Sequence, residues 1–167
     1  NDRLKNQLRT FESDKELMLV GSWVRFVDAY RKQLYVFKPP SNYDDLKKII
    51  HYYNPFIHPS VMYKTEVVKK IGYYPTNYPA LEDYAFFFEI IKHFKVALIE
   101  KILVNCELNP NGISTVRRRE QTKSRIRLLK NKYKFGLIPT LGLIRALLTF
   151  LLPLSFLTFM KRQFFYR

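Results

Sequence analysis

One run of eleven residues, Leu17 to Val27 (LMLVGSWVRFV), limits the possible folds more than any other stretch. It is rich in β-branched and aromatic residues and reads as a strand. A strand this long needs partners at its edges and cover on its faces. Gly21 inside it predicts a bulge or a close approach to another backbone. The neighbouring sequence alternates helical and extended patterns, which argues for an α/β fold. Asp2 caps a helix through about Glu12, with Leu4, Leu8 and Phe11 on one face. A turn at Ala29 to Lys32 leads to a short strand at Leu34 to Phe37, ended by Pro39-Pro40. A helix starts at Ser41 or Asn42 and runs through Tyr53, with Leu46, Ile49, Ile50 and Tyr53 inward. Asn54 to Tyr63 carries two prolines and enters a short strand. Thr65 caps a helix over Glu66 to Ile71, and Gly72 ends it. Val96 to Val104 reads as a strand interrupted by Glu100-Lys101, and Asn109-Pro110-Asn111-Gly112 is a turn.

Between the last two segments lies Tyr78-Pro79-Ala80-Leu81-Glu82-Asp83-Tyr84. Tyr84, Phe87, Phe88 and Ile91 fall at helical spacing, and Pro79 breaks any earlier helix. Glu82 and Asp83 therefore sit at a helix N-terminus, where the dipole favours negative charge. They serve either as a helix cap or as carboxylates at the edge of a cleft. There, Asp83 is expected to stay ionised at neutral pH and to act as a weak base that gains from positioning.

Net charge is +15 over 167 residues, unevenly spread. Residues 1–116 hold 16 basic and 13 acidic side chains, residues 117–134 nine and one, and residues 135–167 four and none. Residues 117–134 read as a basic helix with Ile126, Leu129 and Tyr133 as a narrow apolar stripe. Residues 135–167 form an apolar tail, uncharged from Ala146 to Met160, with Arg145 near its middle and Pro139 and Pro153 within it. The stretch reads as an interfacial or re-entrant anchor, a kinked span or a docking helix. Lys161, Arg162, Phe164, Phe165 and Tyr166 suit a headgroup layer. A polycation feeding an apolar tail points to an anionic membrane surface rather than nucleic acid. The single cysteine, Cys106, excludes an internal disulfide or a cysteine metal cluster and reads as a buried thiol. The sequence opens on Asn1 with no signal peptide, which predicts a fragment.

Five features stand in order: Arg3-Leu4-Lys5-Asn6-Gln7, the Leu19-Val20-Gly21-Ser22 strand, Asn54-Pro55-x-x-His58-Pro59-Ser60-Val61-Met62, Lys69-Lys70-Ile71-Gly72-Tyr73, and Glu82-Asp83-Tyr84. Together they make residues 1–116 resemble the second half of family 2 glycosyltransferases. The resemblance implies an acceptor-side, partial GT-A (nucleotide-diphospho-sugar transferase) fold lacking its N-terminal nucleotide-binding half. The basic helix and the apolar helical tail follow it. It also implies inverting transfer from a nucleotide-sugar donor to a hydroxyl of a glycan or lipid-linked acceptor, on the cytoplasmic face of a membrane, with peripheral or monotopic attachment. A divalent metal, Mg or Mn, is expected for the complete enzyme. The chain has no Asp-x-Asp, so no metal site is assigned to it and it is not expected to turn over alone.

The resemblance carries the general base onto Asp83, with Glu82 orienting the acceptor or positioning Asp83. Tyr73, Tyr74 and Tyr78 either line an acceptor site or pack on the body. His58 is read as a buried residue shaping its turn, or as an acceptor contact. His51 and His93 fall on helical surfaces and carry no role. Arg117, Arg118 and Arg119 contact either the donor diphosphate or the membrane. The processive-synthase motif Gln-x-x-Arg-Trp is absent, since the only Trp is Trp23. The competing readings are a non-catalytic membrane adaptor and a basic nucleic-acid-binding module.

Overall fold

A computed structural model describes residues 2–109 and 111–153, without the side chains of 113 and 114. The uncharged run beyond Pro153 and the cationic, aromatic C-terminal end lie outside the described residues. The fold is α/β with a four-stranded mixed sheet built on β1 (Leu17–Val27). β4 (Lys95–Glu107) runs parallel along one edge of β1. Two antiparallel strands share the other edge: β2 (Gln33–Phe37) pairs with Val24 to Val27, and β3 (Met62–Tyr63) pairs with Leu19 and Val20. β1 is buried along most of its length, as befits a strand covered on both faces.

β4 does not break at Glu100-Lys101. Ser22 pairs with Ile99 and Trp23 with Ile102, so the two charged residues bulge out of the ladder as extra residues. Gly21 is opposite Leu98, and a Cβ there would lie 2.5 Å from a Leu98 methyl, so the close approach is to a side chain rather than to backbone. Cys106, on β4, is half-buried rather than buried, and burial pushes its thiol pKa up.

Side-chain alternation splits the core between the two faces of the sheet. Leu17, Val20, Ala97 and Ile99 gather with Phe11 of α1 (Asp2–Ser13) on one face. Leu19, Val96 and Leu98 face a larger cluster built on α4 (Glu82–His93). α4 is buried at Tyr84, Ala85, Phe86, Phe87, Phe88, Ile90 and Ile91, more than one stripe. A helix apolar on most sides must be enclosed on most sides. Residues of α2 (Tyr43–Ile49), α3 (Thr65–Ile71), α6 (Arg118–Asn131) and α7 (Leu137–Leu151) join the same cluster.

Two helix boundaries differ from expectation. α2 is capped by Asn42, whose side chain accepts from the Asp45 N–H, but it stops at Ile49 rather than Tyr53. His51 and Tyr52 bond to carbonyls three residues back, a tightening that closes the last turn. Thr65 does not cap α3. Lys64 holds the extended capping position and Thr65 is the first helical residue, while Gly72 ends the helix at φ 82°. α6 follows a short helix, α5 (Ile113–Val116).

α1 holds the turn at His58–Ser60 in place. The Arg3 guanidinium donates to the Pro59 carbonyl, and the buried Gln7 amide donates to the Val20 (2.9 Å) and Ser60 (3.0 Å) carbonyls. Residues four apart share a helix face, so one helix turn reads both ends of this clamp. Gln7→Leu leaves both carbonyls without this donor, against the relief of the unpaired Gln7 Oε1. The net expected loss is about 1–3 kcal/mol, measured as a lowered midpoint in urea unfolding.

Candidate active site

Glu82 and Asp83 open α4, as the sequence implies. The approach is strained: Ala80 sits at φ 59°, and Glu82 Oε1 accepts from the Ala80 N–H at 3.1 Å. Asp83 Oδ1 accepts from the Tyr84 N–H at 2.7 Å. Burial raises the Asp83 pKa. The Tyr84 N–H and nearby His58 oppose this, and Glu82 adds to it. At Asp83 burial therefore outweighs the helix end, and the carboxyl is shifted up rather than down.

His58 lies within electrostatic reach of this carboxylate. It is exposed rather than buried, and its Nε2 lies 3.0 Å from the Tyr74 hydroxyl. Tyr74 is stacked on Phe86 with ring centroids 4.3 Å apart. Its phenol pKa is raised by burial first, then by the Tyr63 hydroxyl and the Asp83 charge. Asp83, His58, Tyr74 and Tyr63 therefore form one polar cluster. The three loop tyrosines take different positions. Tyr73 is 84% exposed, Tyr74 belongs to the cluster, and Tyr78 is only 7% exposed with its hydroxyl accepting from Asn131 at 3.2 Å. Tyr78 as an acceptor contact is corrected on that ground: its ring packs in the core.

The basic helix does more than present a charged face to water. Gln121 donates to the Ala80 carbonyl, Ser124 to Pro79, Arg127 to Asn77 and Asn131 to Tyr78. Successive spacings of three and four put these donors on one side of α6. They fasten the loop that aims Glu82 and Asp83. The three adjacent arginines diverge. Arg117 pairs with Glu120 at 2.6 Å and lies within electrostatic reach of Glu82. Arg118 donates to the Thr149 and Leu152 carbonyls at the end of α7, which takes its Nη2 away from donor or membrane. Arg119 is exposed.

Arg125, which the sequence did not single out, is within reach of Asp83 and Tyr84, and its pKa is lowered by burial. Its Nε is buried without a hydrogen-bond partner among the described residues. Among the described residues no three His, Cys, Asp or Glu side chains gather to hold a metal ion. The described residues therefore do not make a divalent-metal site.

No family model matches the chain. Over 111 residues it is 31% identical to an uncharacterized glycosyltransferase of Methanocaldococcus jannaschii. The chain is similar to a glycosyltransferase. The match covers 65% of this chain and 38% of that protein, so the chain spans well under half the length of its relative.

Proposed function

We propose that this chain is the acceptor-side portion of a family 2 glycosyltransferase of GT-A organisation. Its similarity to a named glycosyltransferase supports the reading. The observation that carries the chemistry is Asp83, a carboxylate of raised pKa beside His58 and Tyr74 at the opening of α4. In the proposed reaction an acceptor hydroxyl, of a glycan or lipid-linked sugar, gives its proton to Asp83. Its oxygen attacks the anomeric carbon of a nucleotide-sugar donor. The bond to the nucleoside diphosphate breaks, and the diphosphate leaves with the electron pair. Attack from the face opposite the leaving group inverts the anomeric centre. A raised pKa suits a base that must accept a proton near neutral pH. Glu82, held on the Ala80 N–H, fixes the backbone that aims Asp83.

The test is acceptor-dependent release of nucleoside diphosphate by the full-length protein, across a panel of nucleotide-sugars with Mg or Mn. Anomeric configuration of the product is read by NMR. Release with inversion is expected. Retention of configuration contradicts the mechanism, and no release with any donor contradicts the activity.

Peripheral attachment at the cytoplasmic face of an anionic membrane is part of this proposal. Among the described residues no helix is long and apolar enough to cross a membrane. α7 docks through buried Gly142 and Ala146, with Arg145 donating to the Tyr52 carbonyl and lying over the Tyr52 ring. Pro139 falls in its first turn, where proline is tolerated. Its outer side exposes Leu137, Leu141, Ile144, Leu148 and Leu151, next to basic α6. Apolar area beside cations suits an anionic bilayer surface. Ile144→Lys with Leu148→Lys is expected to weaken sedimentation with phosphatidylglycerol-containing vesicles at least tenfold. Unchanged binding contradicts the assignment of this face.

A further inference from the structure

We propose that the hollow among the C-terminal ends of α2, α4 and α6 binds a phosphate group. The site is independent of sugar transfer. It lies at the far end of α4 from Asp83, about 14 Å along the axis from Asp83 to Lys92. The cavity measures about 330 Å³, and Lys47, Lys92, Lys132, Lys134, His51 and Asn131 line it.

Three helix C-termini converge here, which already favours lysine in each last turn. Charge balance decides whether that is the whole account. The four lysines bring four positive charges. Glu89, paired with Lys132 and 3.8 Å from His93, removes one. The helix ends remove about half a charge each. An excess of more than one positive charge remains around a space large enough for a phosphate. Lys92 and Lys134 have no ion-pair partner among the described residues.

The second observation is His51. It is 92% buried, lies edge-on to Phe88 at 4.8 Å, and lines the hollow. Its ring nitrogens make no hydrogen bond to any described residue. The ring is buried, but its nitrogens are not sealed from solvent and so can be reached from the hollow. Burial first, and then the Lys134 charge, push its pKa down, which favours the neutral ring beside a positive hollow. A phosphate oxygen balances the positive excess and can take a hydrogen bond at the ring. Tyr133 lines both this hollow and a second one of about 330 Å³ with Leu143, Ile144 and Leu147, so a chain attached to the phosphate has an apolar path beside it.

The phosphate comes either from a lipid headgroup or from a soluble phosphate, and two arms separate them. In the first, inorganic phosphate is titrated into the protein and the histidine ring signals are followed by NMR. In the second, binding to phosphatidylcholine vesicles is compared with and without phosphatidic acid. The variants are Lys92→Gln/Lys134→Gln and, as an equal charge change elsewhere, Lys5→Gln/Lys32→Gln. A saturable His51 shift with His93 still, lost in the Lys92/Lys134 variant alone, supports the site with a soluble source. Phosphatidic acid-dependent binding that falls about tenfold in that variant, and less than twofold in the control, supports it with a headgroup source. Absence of both effects overturns the proposal, and so do equal effects in the two variants. Because inorganic phosphate needs no bilayer, failure of the membrane reading and failure of this one are distinguishable.

Discussion

Asp83→Asn is expected to lower kcat for sugar transfer by about 10²–10⁴-fold, the usual range for loss of a positioned base. The same change is expected to leave the thermal midpoint at neutral pH unchanged or higher. Asn keeps an acceptor for the Tyr84 N–H that Asp83 now binds. It removes a carboxylate whose pKa burial has raised. The sign of the stability effect follows from linkage. An acid with a folded pKa above its unfolded one costs the fold stability as pH rises between the two values, and the cost is complete above the folded value. Wherever Asp83 is ionised the wild type carries that cost and the variant does not. Below the unfolded carboxylate pKa both side chains are neutral, and the two midpoints should converge. Activity and stability moving in opposite directions is the signature of a group kept for chemistry. A variant that loses activity because it unfolds contradicts this.

Gly142→Ala is expected to destabilise the chain by about 1–3 kcal/mol, as overpacking does. Helix propensity alone argues the reverse, since Ala is better than Gly inside a helix by about 1 kcal/mol. The contact decides the sign. A Cβ at Gly142 would lie 2.0 Å from the His51 carbonyl oxygen and 3.0 Å from the Tyr52 Cα, and both are backbone. Backbone cannot rotate away, so α7 must lift. Lifting it also breaks the Arg145 bond to Tyr52 and the Arg118 bonds at its far end. Faster proteolysis near residues 134–137 is expected alongside a lower denaturant midpoint. Gly21→Ala is the control, because its obstacle is the tip of the Leu98 side chain, which can turn. A Gly142→Ala protein more stable than the wild type contradicts the docking of α7.

The parts of the fold that local chemistry governs were legible. β1 has the ends that its β-branched and aromatic run implies, and α4 starts at the two acids after Pro79. What escaped the sequence depends on partners far along the chain. The role of α6 rests on carbonyls of residues 77–80, and a carbonyl leaves no mark on a sequence. Lysine and arginine counts point to a membrane-facing helix and miss its clamp. Tyr78 and Tyr74 look alike in the loop, yet Asn131 and the core claim one while His58 meets the other. His51 looked like a surface helical residue because α2 was extended past its true end at Ile49. Glu100-Lys101 interrupts the apolar pattern as a break would, whereas a parallel partner absorbs two extra residues as a bulge. The motifs behind the family resemblance are joined in space: Arg3 and Gln7 hold the His58–Ser60 turn, and His58 lies within electrostatic reach of Asp83.

The measurement that bears most directly on Asp83 as the base is the pH dependence of kcat/KM for sugar transfer by the full-length protein. An acid limb is predicted, with an apparent pKa above that of an ordinary aspartate and assigned to Asp83 by its loss in the Asp83→Asn protein. A flat profile down to the unfolding pH, or the same limb in both proteins, contradicts the assignment.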